Sequence, residues 1–282
     1  MPSILQKATD SAAGEPSVSF KYGAVVAICA GAVPLLAIPS LKLWGWLVVG
    51  LVSAALAFSY KSRFSRHMLL LALALALLGL VPINTDIGYG HMFGMGAVLL
   101  ATILLPLWVT RHLFKEKTIA FPFRFGRRWY KREIAYIFFA GFASYLILPF
   151  YLHSTGSYLN WEAVPDSSHI VRLFIGTNAL GIWDELFFVG ICLALLRQHL
   201  PFIWANVAQA ALWTTFLYEL GFRGWGPVAI FFFALSQGYI FKRSRSLLYI
   251  ITVHLTIDFV LFLVLVHLHN PQHLRLFLTS PL

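Results

Sequence analysis

The chain has 282 residues, of which 59% are apolar and only 11% charged, with a net charge of +10. An ordinary soluble domain carries about 25% charged residues, so this composition cannot supply a water-exposed surface and the surrounding medium must be lipid. The positive charge does not imply a nucleic-acid partner, because the basic residues sit in short connectors between apolar runs, the pattern by which membrane proteins set their orientation.

The first stretch, Met1 to Phe20, is polar and holds Gly14 and Pro16. It lacks a short apolar core ending in a small-residue cleavage site and reads as a tail over residues 1–21. A span needs about 20 apolar residues. Nine runs meet this need: Tyr22–Ile38, Leu43–Tyr60, Met68–Ile83, His91–Thr110, Ile134–Leu152, His169–Arg197, Leu200–Leu220, Gly226–Phe241 and Leu247–His267. Only Pro39 to Lys42 separates the first two, so a kinked pair and a count of eight stay open. The fold expected is all-α, a polytopic integral membrane helical bundle of 8–9 transmembrane helices.

Of the 21 Lys and Arg, only Lys42, Arg172, Arg223 and Arg275 fall on one side of such a nine-span arrangement. The others, from Lys7, Lys21 and Lys61 to Arg245, fall on the opposite side. By the positive-inside rule that side is cytoplasmic and carries the N-terminus. The setting expected is a multi-pass protein of the cell membrane. The longest connector on the basic side, residues 111–133, reads RHLFKEKTIAFPFRFGRRWYKRE. Its Phe114, Phe121, Phe123, Phe125 and Trp129 alternate with cations, which suits a segment lying on an anionic leaflet. The partners expected are membrane lipids and a peptide or membrane-protein substrate, with no nucleic acid. The glycines of Gly90 to Gly96 read as helix-packing positions. Cys29 and Cys192 lie in different runs without metal-ligand spacing and read as small buried apolar residues.

Ionisable residues inside a span are costly and are functional hypotheses by default. Four stand out: Asp184 and Glu185 in the sixth run, His254 and Asp258 in the ninth. Asp184 lies thirteen residues before Arg197, and Asp258 thirteen after Arg245. At the helical rise both lie about 20 Å in from those arginines, so two antiparallel helices bring them to one layer. His254 and Asp258, at i and i+4, share a helix face. Asp184 and Glu185 are about 100° apart, so one at most points squarely at a given cavity. Four readings fit this spacing: a structural polar cluster, a proton or ion path, a metal site of carboxylates and imidazole, and general acid–base catalysis. The roles of His91, Asn178, Asn206, Gln209 and Gln237 stay open; intramembrane amides commonly bridge helices.

The stretch from Asn178 to Phe262 resembles the CPBP family, the CAAX-processing endopeptidases and bacteriocin-processing proteins also called Abi. The family's first motif, E-E-x-x-x-R, corresponds to Asp184-Glu185-Leu186-Phe187-Phe188-Val189, followed by Gly190. Its third motif, H-x-x-x-N or H-x-x-x-D, corresponds to His254-Leu255-Thr256-Ile257-Asp258. The run FALSQGYIFKRSRSLLYIITVH is similar to the family's small-residue helix and basic turn. The chain departs from the pattern at three places. The first Glu is Asp184, and the Arg is Val189. In the second motif, F-x-x-x-H, Trp213 takes the Phe place and Leu217 the His place.

The resemblance implies a core over residues 169–267, preceded by variable helices over 22–152 and followed by a tail over 268–282. It implies an intramembrane endopeptidase with Asp184, Glu185, His254 and Asp258 as site residues. Asp184 would activate water, and His254 with Asp258 would orient groups or stabilise the oxyanion. Glu185, Tyr218 and Glu219 are candidates to stand in for the missing histidine, although Glu219 beside Arg223 reads first as an interfacial ion pair. The departures leave a second reading, a catalytically impaired binding or bacteriocin-immunity protein on the same fold. A proton-coupled transporter is the third, disfavoured because no paired broken helices occur in two matching halves. None of these readings requires a cofactor, and a divalent metal at the acidic and imidazole cluster is left open.

Overall fold

In lipid no water is available to satisfy backbone amides, so each apolar run has to close its own hydrogen bonds as a helix. The structure, a computed structural model, describes residues 15–59, 62–272 and 276–279. Residues 1–14 of the expected N-terminal tail, with Lys7, together with Tyr60, Lys61 and residues 273–275 and 280–282 of the expected C-terminal tail, with Arg275, lie outside the described residues.

Nine helices follow one another in the described residues. They are α1 (Val18–Ala32), α2 (Lys42–Phe58), α3 (Arg63–Gly79), α4 (Tyr89–Trp108), α5 (Lys131–Thr155), α6 (Ser167–Asp184), α7 (Phe202–Glu219), α8 (Gly226–Ser244) and α9 (Leu247–His269). Helix α1 continues through a π turn, Val33–Ala37, and the chain breaks at Ile38 before α2. The first two runs are therefore two helices packed together, not one kinked helix. Helix α6 runs on through a π-helix, Glu185–Cys192, to Leu196. Side chains close the helix starts: Ser62 accepts from Ser65 N, Asp166 from His169 N and Ser246 from Tyr249 N, satisfying amides that have no partner within the helix.

Six helical stretches are long and apolar enough to cross a membrane: Val18–Ala37, Pro39–Phe58, Tyr89–Leu113, Lys131–Thr155, Ser167–Leu196 and Leu247–His269. The protein is thus a membrane protein by length and composition. The remaining three, α3, α7 and α8, are shorter or less apolar, and the reason is their position. Helix α3 is buried along most of its length. Helices α7 and α8 pack on each other and carry amides that bridge them. Asn206 donates to Leu235 O at 2.9 Å and Gln209 to Ala234 O at 3.0 Å. Lipid tails give no hydrophobic drive for helices to associate, so such bonds and close packing hold the bundle together. Helix α9 packs on both α5 and α6, and α7 also packs on α1.

The bundle has a basic end and an opposite end. At the basic end the connector after α4 folds back onto three helix junctions. Glu116 accepts from Arg63 at 3.0 Å and lies 3.0 Å from His67 Nε2. His199 Nε2 lies 2.9 Å from His67 Nδ1. Donation from His67 to the carboxylate makes Nδ1 the acceptor, so His199 donates to it. Leu247 N donates to Pro122 O at 2.9 Å, and Tyr249 Oη to Glu133 O at 3.0 Å. The connector's rings mostly face protein, not lipid. Phe114 lies under Arg66, Trp129 meets Tyr249 edge-on, and Phe121 fills the space left by Gly190. Phe125 alone of the five is largely exposed. At the other end, Tyr151 Oη donates to Arg223 O at 2.9 Å and Asn270 to Ala163 O at 2.7 Å. Gly90, Gly94 and Gly96 meet no other helix among the described residues, against the packing role expected of them. Cys29 is half-buried and Cys192 buried, and both are free thiols.

Burial pushes the Glu116 carboxyl up, but the Arg63 guanidinium, Thr118 and His67 outweigh it and hold it at about 2. Burial, with His67 beside it, pushes His199 down to about 4. Both groups bind fewer protons folded than unfolded, so both contribute stability that falls as pH falls. The His199 contribution is lost between 6.5 and about 4, and the Glu116 contribution between 4.5 and about 2. In detergent micelles, H199Q should flatten the fall of the thermal midpoint in the first window and E116Q in the second. At neutral pH, E116Q should also lower the midpoint, by about 2–4 °C for each kcal/mol lost. A midpoint that keeps its full pH dependence in both variants would show that this network does not hold the connector.

Candidate active site

The structure brings the four sequence-derived residues together. Asp184 ends the α-helical part of α6, and Glu185 opens its π segment. π segments are frequent at functional sites. Here the switch lets neighbouring carboxylates serve different neighbours. Glu185 turns inward, where its Oε1 accepts from Gln237 Nε2 of α8 at 2.6 Å and faces His254 Nδ1 of α9 at 3.1 Å. Gln237 Nε2 also reaches Ile250 O at 3.3 Å. Because Nδ1 donates to a carboxylate, the proton on that nitrogen is assigned. The other ring nitrogen, Nε2, lies 3.6 Å from Asp258 Oδ1, an ion-pair distance beyond a hydrogen bond.

Asp184, Glu185, His254 and Asp258 are all buried. Aromatic rings pack around them and set the local dielectric. Trp213 lies 5.5 Å from the His254 ring and Phe233 5.1 Å from it. Behind Trp213, Phe188 stacks at 5.3 Å, and Trp183 and Phe187 stack on each other at 4.9 Å. Gly181, one turn before Asp184, makes room for α9: a Cβ there would collide with the Asp258 carboxylate.

A cavity of about 200 Å³ reaches this cluster. Asp184, His254 and Asp258 line it, while Glu185 stands behind. The cavity runs from the carboxylates toward the end opposite the basic connector, where Tyr151, Phe222 and Trp225 form its aromatic rim. Its exposed lining residues, Ile147 of α5, Trp225 and Ala229 of α8, place the opening between those two helices. Asp184 Oδ1 and Asp258 Oδ2 have no hydrogen-bond partner among the described residues. Buried polar atoms are nearly always bonded, so these two oxygens are acceptors offered to whatever occupies the cavity. A volume of this size holds several waters or a short stretch of extended peptide.

Residues 166–260 resemble a known protease family. They match the family model described as type II CAAX prenyl endopeptidase Rce1-like, over about a third of the chain. No curated protein and no solved structure is matched. The CPBP resemblance read from the first and third motifs is therefore borne out for this stretch, and it is the stretch that builds the cavity. The departures from the motif pattern acquire places. Leu217, where the second-motif histidine was expected, forms apolar cavity wall. Glu219 pairs with Arg223 at 3.6 Å, and Tyr218 lies under the same guanidinium, so both belong to the end of the bundle and neither replaces the histidine. Val189, in place of the motif arginine, faces the basic end and not the carboxylates.

Sequence reasoning left Gln237 without a role, although an amide inside the apolar run FALSQGYIF was the available signal. It fixes Glu185. Asn178 bonds its own helix at Phe174 O, and His91 lines a separate apolar cleft between α4 and α6. Among the described residues no group of three or more His, Cys, Asp or Glu is arranged to hold a metal ion.

Glu185 depends on Gln237 for half of its bonding, which gives a stability test. Q237L should destabilise the protein by about 1–3 kcal/mol, because the buried carboxylate then keeps His254 but loses its Gln237 donor. Adding E185Q should recover part of that loss, since the buried group is then neutral and its amide oxygen still accepts from His254. Unfolding in mixed micelles reads both. Equal or additive losses would mean that the amide does not support the carboxylate.

Proposed function

We propose that this protein is an intramembrane endopeptidase of the CPBP type, in which Asp184 activates water against a peptide bond of a membrane-associated substrate. The observation that carries the reading is the one cavity shared by Asp184, His254 and Asp258 in a helical bundle whose residues 166–260 match the Rce1-like family model. The cell membrane is the setting, with the basic end in the cytoplasm.

In this mechanism Asp184 takes a proton from water, and the oxygen adds to the carbonyl carbon. His254 acts as the imidazolium, its Nδ1–H held by Glu185 and its Nε2–H serving as the donor for the oxyanion, with Glu185 and Gln237 fixing the ring. Asp258 orients the imidazole; an ionised carboxylate would repel an oxyanion, so it acts through His254. The tetrahedral adduct then expels the amine, which takes the proton from Asp184, leaving a carboxylic acid that passes its remaining proton to the amine, so that a carboxylate and an ammonium depart. The opening between α5 and α8 admits the substrate sideways from the bilayer.

A second reading, a catalytically impaired binding or bacteriocin-immunity protein, is favoured by one observation. Leu217 presents only hydrocarbon where the family places a catalytic histidine, which removes a contribution of about 10²–10⁴ in rate. The two readings separate in liposomes holding the purified protein and a tagged membrane peptide. On the enzyme reading, D184N loses at least about a hundredfold in cleavage with its thermal midpoint kept. L217H, which restores the second motif, raises the rate, and A229W, which narrows the opening, lowers it without touching the carboxylates. Absence of cleavage by the unmutated protein on every peptide tried, with a cellular phenotype that survives D184N, would instead establish the binding role.

A further inference from the structure

A second cavity, of about 570 Å³, lies at the basic end, on the far side of α6 from the carboxylates. Arg124, Arg197, Lys242 and Arg245 line it, and no carboxylate does. None of the four has an ion pair among the described residues, although Arg63 of α3 and Arg127 of the connector are both paired with glutamates. Four cations converging without a counter-charge repel one another, and the wall they share carries Thr118 and Gln198 as further polar groups.

The site is built, not a chance grouping on a mobile surface. Three elements meet there: the connector after α4, the end of the α6 stretch and the α8–α9 junction. Phe121 seats on Gly190, Leu247 N bonds Pro122 O, and Ser246 Oγ bonds Phe123 O at 3.4 Å. Arg197 and Lys242 approach one ring, Phe202, at 5.5 and 4.2 Å, which fixes both cations from below. Arg124 and Arg245 have φ of 50° and 51°. This left-handed region disfavours any residue with a side chain. Glycine would fit both positions with less strain, yet each carries an arginine, and both arginines line the same cavity. Strained backbone of this kind concentrates at ligand clamps.

We propose that this cavity binds a phosphate group, presented by the headgroup of an anionic lipid. Guanidinium groups take phosphate oxygens through paired, charge-assisted bonds, and three of the four cations are arginines. The apolar part of the wall, Leu193, Ala194 and Phe241, suits an amphiphile more than a free anion. The pocket also stands at the helix ends, on the basic side of the bundle, where headgroups lie. The proposal is independent of the endopeptidase reading.

The test uses the full chain in dodecylmaltoside micelles, titrated with dioleoylphosphatidylglycerol or dioleoylphosphatidylcholine and read by native mass spectrometry. Inorganic pyrophosphate, followed by calorimetry, is the soluble arm. R124G/R245G removes two pocket cations while easing the backbone, so its thermal midpoint should hold; R197Q/K242Q is the second pocket pair. R128Q/R132Q removes two connector cations that do not line the cavity. Phosphatidylglycerol should bind better than phosphatidylcholine, and each pocket pair should weaken it about tenfold or more, while the control pair leaves it nearly unchanged. Pyrophosphate binding with the same variant pattern would keep the phosphate site and assign it to a soluble ligand. Equal losses in the pocket and control pairs, or equal binding of the two lipids, would reduce the site to diffuse surface charge and overturn the proposal.

Discussion

A carboxylate placed inside a bundle that faces hydrocarbon has to be met by donors, or the helices carrying it will not assemble. Glu185 is that carboxylate. One oxygen receives Gln237 from α8 and His254 from α9, so three helices are tied at a single atom. Because the medium offers no hydrophobic drive between helices, this point and the amide bridges of Asn206 and Gln209 do much of the selecting of which helix lies beside which. The aromatic packing of Trp183, Phe187, Phe188 and Trp213 then fills the space around it.

The same arrangement separates two neighbouring acids. Glu185 is engaged through Oε1 by Gln237 and His254 behind the cavity wall, whereas Asp184 lines the cavity itself. Adjacent residues on an α-helix diverge by about 100°, and the shift to a π-helix at Glu185 sets how the chain continues beyond them. The structural and the reactive demands on an acidic pair are thus met by different members. This also explains why the departure at Leu217 does not unmake the site's shape: the wall there is apolar packing, and the His254 ring is held from another direction.

Much of this was legible in the sequence. Nine apolar runs gave nine helices, and counting residues in from Arg197 and Arg245 brought Asp184 and Asp258 to one layer. The i, i+4 spacing of His254 and Asp258 gave their shared face, since helical geometry is fixed. Boundaries moved where polar residues begin a helix: α3 starts at Arg63, not Met68, because its first turn lies at the basic end against Glu116. Other features were not legible, because they depend on which helices touch. Gln237 could not be matched to Glu185, 52 residues away, without knowing that α8 lies against α6. The rings of the 111–133 connector read as lipid-facing from their alternation, yet they pack on the bundle, since the chain turns back at Phe121 and Phe123. The opening between α5 and α8 is a gap in packing, and no local pattern encodes a gap.

The folded-back connector has a consequence for dissection of the molecule. The Rce1-like stretch ends on contacts supplied from outside it: Gln198 meets Arg63, Tyr249 meets the chain at Glu133, and Leu247 meets Pro122. Excising residues 166–260, or grafting them onto foreign helices, would strip the junctions of these clasps while leaving every motif residue in place. The N-terminal half is therefore a brace for the matched third, and the unit that can be moved between proteins is the whole bundle.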